Sequence, residues 1–504
     1  MTTSETSAAS QTSAESHTGD AQTSADPQTT GAAAALAAAE EIVGADRVTR
    51  GGPGDNTGLF RQRDTAATVA PRTAEQAQRV VKAFAAAGGE VSLHAYSTGR
   101  NWGLGSRESA TDNVVALDLS GLDAIRDIDV AAGWAVVEPG VTQGHLAGLL
   151  ADTERMVNVT VSTAHSSVLG NALDRGVGLR HQRVEDLVGL EVVLPDGELV
   201  HVGWWPEGDR KTPVYPHTLG PSLVQLFVQS NLGVVTGATI RLLARPEALR
   251  VVRLNYTPEN LGPATALLRR WVAQGLASGV PKFYNPTAAR GYGSAPGQFL
   301  AHVPVDGTAA SVAALSAIIA DEAVKSGVFT EVSTTDATDP DAPHHEVTSL
   351  VERSYLGDPD VSDRVFEQKM GMRADQLDTD LGFLFFLPLL PFTAEAVVTA
   401  ERLLGQVHAE TGVLAGGTGN VLGDDLVDLV VAMKFDRADA QAAHRALDRL
   451  YELFAEQGFL PYRLDVDHHE WIDRVGGRPS ARAFARRLKD SLDPTGVIAP
   501  GRYL

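Results

Sequence analysis

His94-Ala95-Tyr96-Ser97-Thr98-Gly99-Arg100-Asn101-Trp102-Gly103-Leu104-Gly105-Ser106 is the stretch that decides how the chain is read. Glu90 to Leu93 reads as a strand that runs into three glycines interleaved with small hydroxyl residues and an asparagine. Glycine lets backbone come close to a ligand and adopt positive φ. Successive exposed N–H groups in such a turn form a concavity for anions, so a diphosphate is the natural occupant; a plain surface turn is the alternative. The spacing is neither G-x-G-x-x-G nor G-x-x-x-x-G-K-[ST], and no helix signal opens directly after it. That argues against a Rossmann nucleotide site and against ATP.

The 504-residue chain has room for about two to four domains. With 43% hydrophobic and 21% charged residues it has the make-up of a soluble globular protein. The 42 basic residues against 63 acidic ones leave −21, which repels nucleic acid and anionic membrane alike. The absence of cysteine excludes disulfides, Fe–S clusters, thiolate zinc and cysteinyl cofactor links.

Residues 1–31 are rich in Ser, Thr, Ala and Gln, hold no Lys, Arg or aromatic residue, and are predicted to be disordered. They have neither the basic nor the apolar region of a targeting signal, and the longest apolar run, Leu381 to Phe392, is too short to span a bilayer. A soluble, cytoplasmic protein is expected. Up to about residue 245, short apolar runs at Val114–Leu119, Trp134–Val137 and Leu190–Leu194 read as strands among a few helices, such as the one Thr73 would cap with Gln76. A polar connection separates the first two. Residues 246–460 instead alternate long amphipathic helices (from Pro263, Ala309, Ala394 and Ala438) with strands near Val251, Phe299, Leu381 and Leu426. That alternation predicts an antiparallel sheet backed by helices, and the whole chain an α+β fold.

Four further motifs follow the first loop in order. They are Val137-Glu138-Pro139-Gly140-Val141-Thr142, the segment Ser167 to Gly178 around Gly170-Asn171-Ala172-Leu173-Asp174-Arg175-Gly176, Gln229 to Thr236, and the closing Asp493 to Arg502. Together they resemble the vanillyl-alcohol oxidase / p-cresol methylhydroxylase family of FAD flavoproteins over roughly residues 65–504. The resemblance implies an FAD-binding domain of the PCMH type over 32–245, a substrate or cap domain over 246–460, and a C-terminal segment, 461–504, that returns to the FAD domain. It implies that Ser97, Thr98, Gly99, Arg100, Asn101, Trp102, Gly105 and Ser106 hold the diphosphate. Pro139, Ser167, Gly170, Asn171, Gly176 and Val235 then complete the flavin site, with Arg463 and Arg502 from the C-terminal part. Asp174 would lie close to flavin N5, where a carboxylate can take a proton from substrate or tune the flavin electrostatically. An ion pair with Arg175 or Arg180 is the structural alternative.

The departures narrow the chemistry. Phenol-oxidising relatives carry a tyrosine where this chain has Leu104 and a Tyr-Arg pair where it has Ala481-Arg482. Two of the three groups that would hold a phenolate are therefore missing, so a para-substituted phenol is not the expected substrate. Arg482 remains to bind a carboxylate. Relatives with a histidyl link carry the histidine at the position of Asp465, so non-covalent FAD is expected, with His468 or His469 open to a link by a shift in register.

Other clusters carry less. His344-His345-Glu346 and His468-His469-Glu470 read as solvated loops, and no metal site is expected. One of Phe383, Phe385 and Phe386 can line the flavin cavity; Tyr284 and Tyr292 read mainly as packing, and His165 as a site residue. The expected function is an FAD-dependent oxidase or dehydrogenase. It would move a hydride from a small organic substrate, with its C–H bond next to O, N or an aromatic ring, to flavin N5. Oxygen or another acceptor would reoxidise the flavin. Asp174, His165 and Arg482 are the catalytic candidates. The rival is a flavin-binding protein of the same fold without redox activity. Small-molecule substrate and electron acceptor are the expected partners, and the resemblance implies a homodimer or larger assembly.

Overall fold

The structure is a computed structural model that describes residues 31–52, 56–208, 210, 212–335, 344–358, 361, 363–364, 367 and 381–504. The N-terminal stretch read as disordered lies outside them, apart from Gly31.

A first sheet orders its strands Val48–Arg50, Thr65–Val69, Val114–Asp118, Ser92–Tyr96, the last three parallel. Helices Gly31–Val43 and Ala74–Ala86 pack on it through Leu36, Ala39, Val80, Val81 and Phe84. Thr73 Oγ1 accepts from Gln76 N at 3.1 Å, a cap worth about 1 kcal/mol. The C-terminal tail closes the edge of this sheet: Leu93 N donates to Val497 O and Ala499 N to Leu93 O, each at 2.7 Å. Strand Ser92–Tyr96 therefore enters the glycine-rich loop with the tail beside it.

A second, antiparallel sheet orders Ile125–Asp129, Trp134–Val137, Val234–Arg241, Leu187–Val193 and Leu199–Gly203. Its first strand is the stretch read as a polar connection. It is polar because Arg126 reaches back over the sheet to Glu138 and Glu191, both at 2.9 Å, so the charges that disguise it are its tertiary contacts.

The third sheet is eight-stranded and antiparallel. Its order runs Glu331–Thr334, Ala248–Tyr256, Phe299–Gly307, Lys282–Tyr284, Ala415–Val421, Leu426–Asp436, Leu381–Phe386, with Leu389–Pro391 also on Leu426–Asp436. Helices Leu261–Ala273, Ala394–Thr411 and Ala440–Glu456 share its largest core, with Phe283, Leu384, Phe386 and Val431 pointing into it. Strand side chains alternate, so Lys282, Thr418, Asn420, Asp428 and Val430 fall on the opposite face. Ala415–Val421 had no strand signal because Gly416, Gly417 and Gly419 dilute it. A Cβ on Gly419 would meet the Phe283 ring at 2.1 Å, so glycine there makes room for a core aromatic.

Two loop expectations are corrected. His345–Tyr355 is a helix with His344 at its start, stabilised by burying Val347, Leu350 and Val351. His468 is buried, stacked on Tyr451 at 3.9 Å with its Nδ1 2.9 Å from Asp465, because a buried carboxylate needs a charged or donating partner. No helix among the described residues is long and apolar enough to cross a membrane.

Candidate active site

A cavity of about 330 Å³ lies between the first two sheets and the free face of the third. The glycine-rich loop forms one end. Gly99 takes φ +65, and a Cβ there would meet Arg107 Cγ and Cδ at 2.5 Å, so the loop's course requires glycine. Ser167 ties the loop to the next motif. It accepts Gly170 N on Oγ at 2.9 Å, donates that hydroxyl to Pro139 O at 2.6 Å, and its own N–H donates to Thr98 Oγ1 at 3.2 Å. Gly170 backs directly onto Ser97: an added Cβ would stand 2.2 Å from Ser97 Oγ.

Among the site residues expected from sequence, Ser97, Thr98, Gly99, Arg100, Asn101, Trp102, Ser106, Pro139, Ser167, Gly170, Asn171, Asp174, Val235, Arg463 and Arg502 all line this one cavity. Gly105 and Gly176 stand behind it. A Cβ on Gly105 would strike Val466 at 2.7 Å, and one on Gly176 would strike Asn171 Oδ1 at 2.0 Å, so both shape the wall from outside. His165 is exposed and off the wall. Arg482 is off it too, because its guanidinium is spent on Tyr503 O at 2.7 Å and Asp473. Leu104 is buried and Ala481 exposed, neither on the wall.

Asp174 sits where the loop side meets the third sheet. Its Oδ2 accepts from Arg463 Nη2 at 2.9 Å and its Oδ1 from the Tyr503 hydroxyl at 2.5 Å. Burial alone would raise the carboxyl, but Arg463, Arg502 and Tyr503 outweigh it and hold the pKa below the ordinary value. Neither Arg175 nor Arg180 is its partner; Arg180 pairs with Asp306. Burial, then the Asp174 charge, pushes the Tyr503 phenol up, so it stays a donor. Arg482 supports this arrangement from behind by holding the Tyr503 carbonyl.

The third-sheet wall is apolar and aromatic: Phe383, Phe385, Leu387, Val430 and Tyr292 line it, with Phe385 packed on Gly103 of the loop, while Tyr284 packs behind Tyr292 at 4.4 Å. Lys282, Thr418, Asn420 and Asp428 interrupt that surface. None of these four was singled out from sequence, nor was Tyr503. The available signal was Asp428, one acid inside the apolar run Leu426 to Met433.

The wall is built for a ligand carrying acceptors and donors along its length. Asn101 Nδ2, Arg463 Nε and Asp428 Oδ1 are buried and have no hydrogen-bond partner among the described residues. Groups left in that state cost roughly 1–3 kcal/mol each. A long ligand with donors and acceptors along its length would satisfy that requirement.

Comparison with known proteins agrees. An FAD binding domain family matches residues 65–203. A 1'-carboxy-chondrochloren decarboxylase of Chondromyces crocatus is 28% identical over 491 residues, spanning 87% of this chain and 90% of that protein. The 4-cresol dehydrogenase (hydroxylating) flavoprotein subunit of Pseudomonas putida is 30% identical over 198 residues, 38% of either chain. The crystal structure of p-cresol methylhydroxylase with substrate bound superposes with a TM-score of 0.81 at 21% identity, covering 93% of this chain and 96% of that one.

Proposed function

From a chain that belongs to the vanillyl-alcohol oxidase / p-cresol methylhydroxylase type of FAD-binding flavoproteins, and is therefore an FAD-dependent enzyme, we propose oxidation of a small organic substrate at a C–H bond next to oxygen, nitrogen or an aromatic ring. FAD, when bound, supplies the hydride acceptor and passes the electrons on to oxygen or another acceptor. The loop Ser97 to Ser106, with Ser167, Gly170, Asn171 and Arg502, would hold the cofactor.

The observation that carries this reading is Asp174, a half-buried carboxylate on the cavity wall held by Arg463 and Tyr503. Of its two possible roles, the lowered pKa favours fixed negative charge over net proton uptake, since a carboxylate held ionised is a weak base. Such a charge stabilises an electron-poor carbon as hydride departs. Tyr503 fixes the carboxylate's orientation, and Phe383, Phe385 and Leu387 keep water away.

A second reading has loss of CO2 accompany the oxidation. The Chondromyces crocatus relative is a decarboxylase by name, and the cations Lys282, Arg463 and Arg502 line this cavity. Anaerobic mixing with a panel of alcohols, amines and hydroxy acids should bleach the flavin, and CO2 release during bleaching separates the two readings. A panel without any bleaching would sink both. Reoxidation in air within seconds would make the enzyme an oxidase, and slow reoxidation a dehydrogenase.

We propose that FAD is held without a covalent bond. Asp465, His468 and His469 are off the wall. His94, the histidine on it, has its pKa lowered to about 4 by burial first and the nearby Arg502 charge second, and its Nε2 is engaged by Ser106 O at 3.1 Å. Acid precipitation should leave the yellow colour in the supernatant; colour in the pellet would show a link and reopen the wall residues.

A further inference from the structure

On the face of the third sheet that looks into the cavity, five polar side chains stand in one row across five strands: Arg253, His302, Lys282, Asn420 and Asp428. All are buried. The row is internally wired at one end. Lys282 Nζ donates to Asn420 Oδ1, and Asn420 Nδ2 donates to Asp428 Oδ2 at 2.9 Å. Arg253 donates to Tyr292 O at 3.0 Å, and His302 Nδ1 lies 3.3 Å from the Tyr284 hydroxyl.

Burying so much polarity where apolar side chains would pack equally well is costly, and the wiring does not satisfy it. Asp428 is fully buried and lines the cavity, yet its Oδ1 has no partner among the described residues. A structural network would be expected to close on itself; this one leaves Arg253 Nε and Nη2 and His302 Nε2 open at one end, and at the other an open acceptor on a residue that lines the cavity.

We propose that Lys282 and Asp428 form the substrate anchor, and that the substrate is a carboxylic acid with a hydroxyl beside the carboxylate and an apolar or aromatic body. The Lys282 ammonium holds the carboxylate, with the Thr418 hydroxyl on the next strand as a second donor. Asp428 Oδ1 accepts the substrate hydroxyl. Asn420 keeps the two charged groups apart and oriented. Phe383 and Phe385 on the adjacent strand, Leu387 just past its end, and Val430 on the Asp428 strand take the apolar body. Lys282 and Asp428 are thus specificity-determining contacts. This deepens the proposed function and rests on its assignment of the cavity as the substrate site.

The anchor is tested by binding, which needs no turnover. The FAD-loaded protein is titrated with mandelate, phenylacetate, mandelamide and benzyl alcohol, and the shift of the oxidised flavin spectrum is read. Mandelate should bind roughly tenfold to a hundredfold tighter than mandelamide, the range for a charged hydrogen bond. Lys282→Met should remove that preference, and Lys282→Arg should keep it. Asp428→Asn should reduce the advantage of mandelate over phenylacetate while both still bind. FAD content of each variant reports that the fold survives. Equal binding of mandelate and mandelamide, no response to any of the four, or a Lys282→Met variant that retains the preference would each overturn the anchor. A wild type that prefers mandelate but is bleached by nothing would leave the anchor standing and defeat the oxidation proposed above.

Discussion

Asp174→Asn should bleach its flavin anaerobically about 10²- to 10³-fold more slowly than wild type, the range for losing one preorganised electrostatic group. Asn keeps the shape of the side chain and can still accept from Tyr503. It removes the negative charge and presents an amide to Arg463, which now lies 2.9 Å from a carboxylate oxygen. Because Arg463, Arg502 and Tyr503 already hold the wild-type carboxyl ionised, the loss should be nearly independent of pH from about 5 upward. A base with an ordinary or raised pKa would instead produce an acid limb in that range. Stability should fall as well, because Arg463 is left as a buried charge without its partner, at a cost of about 3–5 kcal/mol. The sign follows from linkage: a lowered carboxyl pKa contributes stability above the unfolded value, and that contribution is lost as pH falls through the folded one. Flavin content and thermal midpoint, measured beside the bleaching rate, separate the two effects. A variant with full flavin and a rate within tenfold of wild type would remove Asp174 from the mechanism.

Gly170→Val should produce a folded protein that has lost most of its affinity for FAD. The position packs against Ser97, with an added Cβ 2.2 Å from its Oγ and 3.1 Å from its Cβ. Alanine meets chiefly the end of a rotatable side chain, so Gly170→Ala should be mild. Valine adds two methyl groups that Ser97 cannot clear by rotation, and the loop carrying Ser97 to Asn101 must shift. Overpacking of this kind costs about 1–3 kcal/mol, which as binding energy is roughly a tenfold to hundredfold rise in the Kd for FAD. Flavin fluorescence on titrating apoprotein with FAD gives the Kd, and circular dichroism shows whether the fold persists. Affinity equal to wild type would mean that Ser97 does not contact the cofactor.

Much of the loop side of the cavity was legible in the sequence because its signals are local. Gly99 and Gly170 are set by backbone conformation and close approach, and Ser167 is the cap of its own short helix, so each announces itself within a few residues. His165 was misplaced for the same reason in reverse: it adjoins the motif in sequence, but the turn from Thr163 to Ser167 points it outward. Arg482 was carried to a substrate role by alignment alone, and its helix directs it to the Tyr503 carbonyl.

The third-sheet side was hidden. Lys282, Asn420 and Asp428 are separated by as much as 146 positions in the chain, and only strand pairing in the third sheet makes them neighbours. The strand that carries Asn420 is glycine-rich for the sake of Phe283 packing, which erased its own pattern. Ile125–Asp129 was lost likewise, because Arg126 answers acids that lie on other strands.

Composition and helix periodicity by themselves determined the α+β class, and the ordered glycine motifs carried the resemblance that implied the flavin cofactor, since those depend on residues close in sequence. Tertiary structure alone decided which charges face each other across the cavity: Tyr503 on Asp174, Arg463 in place of Arg175, and the Lys282 to Asp428 row. Ion pairs and cross-strand rows form between side chains brought together by folding, and their energy depends on separation in space and burial, neither of which is written in the spacing of residues along the chain.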